Sequence, residues 1–273
     1  MLWHPRFRVD AIKNVRSLLI AAPIAIEFLT PLRLRRVTVW DDQIFGQALG
    51  WYPSVGLLIG FLLLLLDRVL GELFPVAVGS TLILAALVLF SGGLHLDGVA
   101  DTADGMALQG DRAQRLGVMS AGNVGPAGVM ALVMVLIVQW AALMSLEAPL
   151  RSAGLLLTPA LARWAVAPIA VCFRPARPRG LGFTVQQGVW PLAAPLSALT
   201  VFIFAGVLLG PQGLVLPIVA LVAGLVVAGA AARMLHGITG DTFGAVIEIV
   251  QAIMLLTFVA AASEGWFEPT FLG

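Results

Sequence analysis

Apolar residues run along this chain in long blocks separated by short polar connections. Seven of these blocks are long enough for a helix to cross a bilayer, which takes roughly 20 residues. The predicted spans are residues 45–66, 76–93, 125–146, 153–173, 191–210, 214–232 and 244–262. The pattern therefore predicts an all-α polytopic membrane protein with about seven transmembrane helices, in which residues 1–273 form one integral membrane domain and residues 45–262 its transmembrane bundle.

A further apolar block, residues 17–30, does not fit the pattern of spans. Its sequence, SLLIAAPIAIEFLT, is short, contains Pro23 and Glu27, and has basic residues on both flanks. A crossing at this point would move one arginine cluster to the far side of the membrane. We expect a re-entrant or interfacial helix within a cytoplasmic N-terminal segment, residues 1–44, and a short true span is the alternative.

Basic residues are distributed unevenly between the two sides of the predicted bundle. With residues 1–44 in the cytoplasm, Arg68 and Arg151 lie on the far side and Arg163 lies within a span. The other basic residues all lie on the cytoplasmic side: Arg6, Arg8, Lys13, Arg16, Arg33, Arg35, Arg36, Arg112, Arg115, Arg174, Arg177, Arg179 and Arg233. This bias follows the positive-inside rule and supports the assigned orientation.

Composition supports a membrane protein and excludes an ordinary soluble domain. Hydrophobic residues make up 60% of the chain and charged residues 11%, whereas soluble domains are about 45–50% apolar. Cys172 is the only cysteine, so an internal disulfide is excluded. The predicted topology also places three connections together on the cytoplasmic side, near residues 93–124, 174–190 and 233–243.

Three aspartates stand close together in the first of these connections. Asp97, Asp101 and Asp104 lie within GLHLDGVADTADG at spacings of four and three residues, which places them on one face of a helix. Like charges on one stripe repel one another, and a divalent cation such as Mg²⁺ relieves the repulsion while binding substrate phosphates. The alternative is a solvated face of a connecting helix, which the apolar residues around the triplet disfavour.

A second acidic pair begins the last predicted span. Asp241 and Glu248 lie seven residues apart in HGITGDTFGAVIE, again on one helix face. A carboxylate inside a membrane helix is costly unless it faces a polar cavity or binds a metal. The alternative is an N-cap role for Asp241 and an ion pair between Glu248 and an arginine. Together with the triplet, the pair predicts a site with two metal ions for phosphoryl-type transfer.

Basic and histidine side chains near these motifs are candidates for substrate binding. Arg163 lies within a predicted span and can neutralise a phosphate, or can pair with Glu27 or Glu248. Arg177 and Arg179, in PARPRGLG, can bind a nucleotide or can serve only to fix the topology. His95 precedes the triplet and can ligate a metal, act as an acid or bond a backbone group.

At these residues the chain resembles the cobalamin synthase family, the adenosylcobinamide-GDP ribazoletransferases. The close matches are GLHLDGVADTADG at 93–105, ARW at 162–164, ARPRGLG at 176–182 and GITGDTFGAVIE at 237–248. Weaker matches are FLTPLRL at 28–34 and YPSVGLLIG at 52–60. The matches follow the family's order and extend over most of the chain.

The resemblance implies an Mg²⁺-dependent, multi-pass enzyme of the bacterial inner membrane with an active site that faces the cytoplasm. The 3′-hydroxyl of α-ribazole, or of its 5′-phosphate, would attack the cobinamide-linked phosphate of adenosylcobinamide-GDP and expel GMP. The resemblance implies catalytic and metal-binding roles for Asp97, Asp101, Asp104, Asp241 and Glu248. We expect substrate contacts from His95, Thr102, Asn123, Arg163, Arg177, Arg179 and Thr239. Membrane lipids surround such a bundle, and the sequence does not decide whether the protein forms a homo-oligomer. Nothing in the sequence indicates nucleic-acid binding.

One segment departs from the family pattern. Where the family usually has MKDSRIG, this chain has MSAGNVG at 119–125, so Ala121 and Asn123 replace an acidic and a basic residue. The departure leaves the expected fold and reaction class unchanged. It affects the expectation of which α-ribazole-type substrate, the source of the lower ligand of cobalamin, the protein prefers.

Two other function classes are compatible with parts of the pattern. A CDP-alcohol phosphotransferase also uses carboxylates on membrane helices, but its first spacing is Asp-x-x-Asp and an arginine follows. A cation-coupled transporter places carboxylates at the membrane midplane, whereas these motifs lie at the boundary and no inverted repeat is visible. Release of GMP, as opposed to CMP or no nucleotide, distinguishes the three.

Overall fold

The computed structural model describes residues 15–34, 42–190 and 192–267, without the side chains of residues 15–19, 42, 43 and 181. Much of the predicted N-terminal cytoplasmic segment lies outside the described residues. The described residues form these helices: α1 Val15–Leu29, α2 Asp42–Ala48, α3 Tyr52–Leu73, α4 Val76–Phe90, α5 Leu94–Ala107, α6 Arg112–Val118, α7 Pro126–Ser145, α8 Leu150–Trp164, α9 Val166–Cys172, α10 Leu181–Gln187, α11 Ala193–Gly213, α12 Val215–Leu235 and α13 Gly240–Glu264.

Six helical segments of the described chain are long and apolar enough to cross a membrane. They are Ile44–Leu73, Pro126–Ser145, Leu150–Cys172, Ala193–Gly213, Val215–Leu235 and Gly240–Glu264. α4 and α5 meet at an angle of 85° and qualify only as a bent pair, which is a broken span or a re-entrant loop. The prediction of an all-α polytopic membrane protein is thereby confirmed, with six or seven crossing segments. Six of the predicted blocks correspond to the six helical segments, and the block 76–93 corresponds to α4.

The predicted span 153–173 is formed by two helices. α8 ends at Trp164 and α9 begins at Val166. Pro168 has no amide hydrogen to donate to the carbonyl of Trp164, so the regular bonding pattern is interrupted there. The block predicted at 17–30 is helical as α1, with Pro23 inside it. Its 15 residues measure about 22 Å, less than the bilayer core of about 30 Å, and its re-entrant or interfacial placement stays a prediction.

The bend between α4 and α5 is made by two consecutive glycines. Gly92 and Gly93 have φ values of 62° and 72°, in the left-handed region that glycine enters without steric cost. α5 therefore turns away from the direction of α4 and lies across the starts of α7 and α13, on which it packs.

α8 and α13 occupy the middle of the bundle, and almost all side chains of α8 are buried. At the end far from α5, a buried ion pair joins α8 to α3. Arg151 donates to both carboxylate oxygens of Asp67, the shorter contact being 2.7 Å, and also bonds Ser80 on α4 and the carbonyl of Leu143 on α7. Four helices are thus fixed to one another at that end.

Candidate active site

Two glycines allow α5 to lie directly on the first turn of α13. A Cβ atom built on Gly98 would lie 2.5 Å from the carbonyl oxygen of Asp241 and 3.0 Å from the Cα of Gly244. On the other side, a Cβ on Gly244 would lie 3.1 Å from the carbonyl oxygen of His95. Only hydrogen at both positions permits this approach, and it brings the aspartates of α5 beside Asp241.

The loop that carries Arg177 and Arg179 is attached to the segment before α13 by backbone bonds. Ala176 donates to the carbonyl of Ile238 at 2.8 Å, and Ile238 donates to the carbonyl of Arg174 at 3.0 Å. Arg112 on α6 stabilises the same junction through bonds to the carbonyls of Leu235 and Ala176. The arginine loop is therefore held beside the acidic start of α13.

These elements surround a cavity of about 210 Å³. Its polar lining combines carboxylates from α5 and α13 with guanidinium groups from the loop. Apolar walls come from α1, α3 and α10, among them Phe28, Tyr52 and Phe183. The polar groups are those of His95, Asp97, Arg177, Arg179, Thr239 and Asp241. Six of the twelve site residues predicted from the sequence thus meet around one cavity.

Asp97 and Asp241 line this cavity, and Asp101 lies close enough to both to form a crowded acidic group with them. Asp97 is exposed and Asp101 is half-buried one helical turn further along α5. Burial, followed by the negative charges of Asp97 and Asp241, raises the pKa of Asp101 to about 6. Arg177, whose Nη1 lies 3.8 Å from Oδ2 of Asp241, offsets this rise in part. The group therefore carries more negative charge than the described residues around it neutralise.

Asp104 faces different partners from the other two aspartates of α5. Its oxygens accept hydrogen bonds from the backbone amides of Gly125 at 2.6 Å and Gly128 at 2.8 Å. These amides belong to the N-terminal end of α7, where free N–H groups and the helix dipole favour a negative charge. Asp104 thus fastens α5 to α7, and both of its oxygens are already used.

Glu248 lies deeper in the bundle, separated from Asp241 by seven residues or about 10 Å of helix. Its Oε2 accepts hydrogen bonds from Gln139 on α7 at 2.9 Å and from Gln251 at 3.1 Å. Its Oε1 lies 3.8 Å from Nδ1 of His95. The five predicted metal ligands are therefore divided between an open acidic group, an anchor to α7 and a buried polar network.

Arg163 and His95 complete this network. The guanidinium group of Arg163 is fully buried, bonds the carbonyl of Pro159 and lies 3.3 Å from Oε1 of Gln251. His95 is almost fully buried, and its Nδ1 has no hydrogen-bond partner among the described residues.

The remaining predicted residues have separate positions. Thr239 caps α13, accepting from the amide of Thr242 and lying 3.2 Å from Oδ2 of Asp241. Thr102 is buried in α5, and its hydroxyl has no hydrogen-bond partner among the described residues. Asn123 is exposed in the turn before α7, two residues from the amide that bonds Asp104. Arg163, in the network above, is enclosed and does not line the cavity.

Gln139 and Gln251 are the residues that sequence reasoning missed. Each is completely buried within an apolar helix, and each donates to Glu248. A polar side chain in the middle of a membrane helix indicates a function in the bundle interior. Gln139, inside the block VMVLIVQWAALM, carries that signal in the sequence.

Comparison with known proteins identifies the family. The family model described as cobalamin-5-phosphate synthase matches residues 21–259. This chain belongs to that family. A relative in Pseudomonas fluorescens, named adenosylcobinamide-GDP ribazoletransferase, is 37% identical over 85% of this chain and 96% of its own. Relatives of the same name in Stutzerimonas stutzeri and Geotalea daltonii are 36% and 32% identical over 85% and 87% of this chain, and over 95% and 96% of theirs. No solved structure matches this member of the cobalamin-5-phosphate synthase family.

Proposed function

We propose that this protein joins α-ribazole, or α-ribazole 5′-phosphate, to adenosylcobinamide-GDP and releases GMP. The acceptor's 3′-hydroxyl oxygen forms a bond to the cobinamide-linked phosphorus, and the bond from that phosphorus to the oxygen of GMP breaks. The products are adenosylcobalamin, or its 5′-phosphate, GMP and the hydroxyl proton. Membership of the family and the names of the relatives support this reaction.

The observation that carries the proposal is the meeting of acidic and basic groups at one cavity. Asp97 and Asp241 line it from one side, and Arg177 and Arg179 line it from the other. A pyrophosphate needs cations around its oxygens, and planar guanidinium groups bind such oxygens in pairs. The cavity, at about 210 Å³, has room for a small polar group such as the reacting phosphates.

The acidic group fits a magnesium ion. Carboxylate oxygens are hard ligands, and Mg²⁺ commonly binds one or two carboxylates together with substrate phosphates. Among the described residues, no group of three or more His, Cys, Asp or Glu side chains is arranged to hold a metal ion by itself. One or two carboxylates of Asp97, Asp101 and Asp241 would hold the ion together with substrate phosphate oxygens, and the excess negative charge at Asp101 is the reason. When bound, Mg²⁺ would supply neutralisation of phosphate charge.

The protein's own groups position the reactants. Arg177 and Arg179 bind the pyrophosphate, and the capped start of α13 directs backbone amides to the same place. The aromatic walls exclude water from the reacting phosphorus, so hydrolysis does not compete with transfer. Holding both reactants in this way supplies most of the rate enhancement in phosphoryl transfer. We place the cavity on the cytoplasmic side of the inner membrane, in accord with the distribution of basic residues.

Nucleotide release by the purified protein in lipid tests the proposal. The donor is adenosylcobinamide-GDP, the acceptors are α-ribazole and its 5′-phosphate in separate reactions, and Mg²⁺ is present or removed with EDTA. We expect GMP from the wild type with at least one acceptor, and loss of GMP on EDTA treatment or in Asp101→Asn.

Asp111→Asn is the matched control because it makes the same chemical change outside the cavity. Asp111 caps α6, and asparagine caps a helix about as well as aspartate. The control should release GMP at the wild-type rate. GMP formation that persists in Asp101→Asn, or that needs no divalent ion, would overturn the proposed metal site. Release of CMP from a CDP-linked lipid instead would overturn the substrate assignment.

A further inference from the structure

α6 is a short helix that lies outside the cavity and contacts three elements around it. It has seven residues, none of them buried, and none of the described residues that line the cavity belongs to it. A helix of two turns gains little stability from its own hydrogen bonds, so contacts with its neighbours must hold it in place. Three arginines make these contacts: Arg112 and Arg115 on α6, and Arg177 on the arginine loop, residues 174–179.

Arg115 joins α6 to the end of α5, the helix that carries the three aspartates. Its Nη1 donates to the carbonyls of Gly105 at 3.0 Å and Met106 at 2.7 Å, and its Nε donates to the carbonyl of Gly110 at 3.1 Å. The last carbonyls of a helix have no partner within that helix, and its dipole favours a cation there. Arg115 meets both requirements and fixes α6 relative to the aspartates.

Arg112 joins α6 to α12 and to the arginine loop. Its Nε donates to the carbonyl of Leu235, the last residue of α12, at 2.8 Å, and its Nη2 donates to the carbonyl of Ala176 in the loop. Met119, directly after α6, packs with Ala176 and Leu235 in a small buried cluster. A guanidinium group presents its donors at a fixed spacing, so this one side chain sets the distance between the loop and the end of α12.

Arg177 completes the connection between α6 and the cavity. Its Nη2 donates to the carbonyl of Leu116 on α6 at 3.1 Å, and its Nη1 lies 3.8 Å from Oδ2 of Asp241. One guanidinium group therefore contacts α6 on one side and the acidic group on the other. The position of Arg177 in the cavity depends on the position of α6.

We infer that α6 is a positioning element for the proposed reaction and that Arg112 is its main positioning residue. Arg115 fixes α6 to the aspartate helix, and Arg112 fixes the arginine loop to α6. The guanidinium groups that would bind the donor's pyrophosphate are thereby held at a set distance from the carboxylates that would bind the cation. The inference rests on the proposed function, because the proposed donor supplies the pyrophosphate.

Limited trypsin digestion of the full-length protein in lipid measures the attachment of the arginine loop without any reaction. Trypsin cleaves after arginine but not before proline, so Arg174 and Arg177 are protected by sequence and only the Arg179–Gly180 bond of the loop is a target. In Arg112→Gln we expect this bond to be cleaved about tenfold faster than in the wild type, the effect of losing one hydrogen bond from a charged donor.

Steady-state kinetics of GMP release separate positioning from a merely structural role. In Arg112→Gln the KM for adenosylcobinamide-GDP should rise about tenfold, whereas the KM for the ribazole acceptor should change by less than about twofold. Arg115→Gln should give the same split, because it releases α6 from α5. A variant that is only destabilised loses active enzyme instead, which lowers kcat and leaves both KM values unchanged.

Arg233→Gln is the matched control for both measurements. Arg233 lies in the last turn of α12, two residues before Leu235, and none of the described hydrogen bonds of the arginine loop involves it. The control makes the same chemical change and should keep the wild-type cleavage rate and both KM values.

Cleavage at Arg179–Gly180 that is equally fast in the wild type and Arg112→Gln would overturn the inference. A lower kcat with an unchanged donor KM in both Arg112→Gln and Arg115→Gln would overturn it as well. A wild type that releases no GMP would overturn the proposed function instead, and the trypsin comparison would still decide whether Arg112 holds the loop.

Discussion

At the scale of single residues, Asp101 and Asp104 differ in their surroundings although they lie on one face of α5. Asp101 lies near Asp97 and Asp241, and burial with these charges raises its pKa to about 6. Asp104 instead receives two backbone amides at the start of α7. The carboxylate of Asp101 therefore lacks a neutralising positive charge, whereas the carboxylate of Asp104 is fully hydrogen-bonded. Asp101 is suited to bind a cation, and Asp104 holds α5 against α7.

The substitution Asp104→Asn should reduce stability more than Asp101→Asn does. The asparagine side chain would present only one acceptor to the two amide donors of α7, and an unsatisfied buried group costs about 1–3 kcal/mol. Asp101→Asn removes a repulsive charge and should leave the free energy of unfolding equal or higher. Denaturant unfolding of both purified variants in the same detergent measures the difference. A stable Asp104→Asn variant beside an unstable Asp101→Asn variant would contradict these assignments.

At the scale of secondary-structure elements, the crossing of α5 and α13 determines whether the acidic group forms. Gly98→Ala would place a methyl group 2.5 Å from the carbonyl oxygen of Asp241, so the helices must separate. Overpacking of this kind costs about 1–3 kcal/mol, and GMP release should fall by at least about tenfold because the aspartates no longer align. Unfolding and nucleotide release of the same preparation measure the two effects.

Gly229→Ala is the control for this substitution. Gly229 lies in α12, and among the described residues no neighbouring atom lies within 4 Å of the Cβ that alanine would add. The change should leave activity unaltered and raise stability by up to about 1 kcal/mol through helix propensity. Equal loss of activity in both variants would show that the α5–α13 crossing has no special importance.

The buried network around Glu248 permits a second prediction for these elements. Glu248→Gln should leave unchanged the Mg²⁺ concentration that gives half-maximal activity, because the Glu248 carboxylate bonds Gln139 and Gln251 and does not line the cavity. Asp97→Asn should raise that concentration severalfold, because Asp97 lines the cavity. Parallel shifts in the two variants would make Glu248 a metal ligand.

Removal of the whole side chain has a larger expected effect. Both Glu248→Gln and Glu248→Ala remove the charge, but only Glu248→Ala leaves the buried amide donors of Gln139 and Gln251 without the oxygen that they bond. An unsatisfied buried group costs about 1–3 kcal/mol. Thermal unfolding of Glu248→Ala beside Glu248→Gln measures the difference, and equal midpoints would show that these two hydrogen bonds do not stabilise the bundle.

At the scale of the whole molecule, the single cysteine provides a test of orientation. Cys172 is exposed at the end of α9, two residues before the basic loop that we place in the cytoplasm. A membrane-impermeant maleimide should label it in inverted vesicles and not in right-side-out spheroplasts. In a Cys172→Ser background, Ser263→Cys at the exposed end of α13 should show the reverse pattern. The opposite labelling of both would invert the topology.

The hydrophobic pattern was sufficient to predict the spans, because crossing a bilayer imposes a length and an apolar composition that can be counted along the chain. The helical spacing of Asp97, Asp101 and Asp104 was equally visible, since it depends only on local periodicity. The break at Pro168 was not predicted. The bend at Gly92 and Gly93 was not predicted either, because neither glycine reveals its φ angle in the sequence.

The sequence by itself determined the membrane class, the approximate positions of the spans along the chain and the residue types that serve phosphoryl transfer. Tertiary structure decided which carboxylates face the cavity, because that depends on the neighbours each one meets. Asp101 meets other carboxylates, Asp104 meets the free amides of α7, and Glu248 meets the amides of two glutamines. Spacing places groups on a common face of one helix, but only the packing of other helices against that face determines the charges and hydrogen bonds around each group.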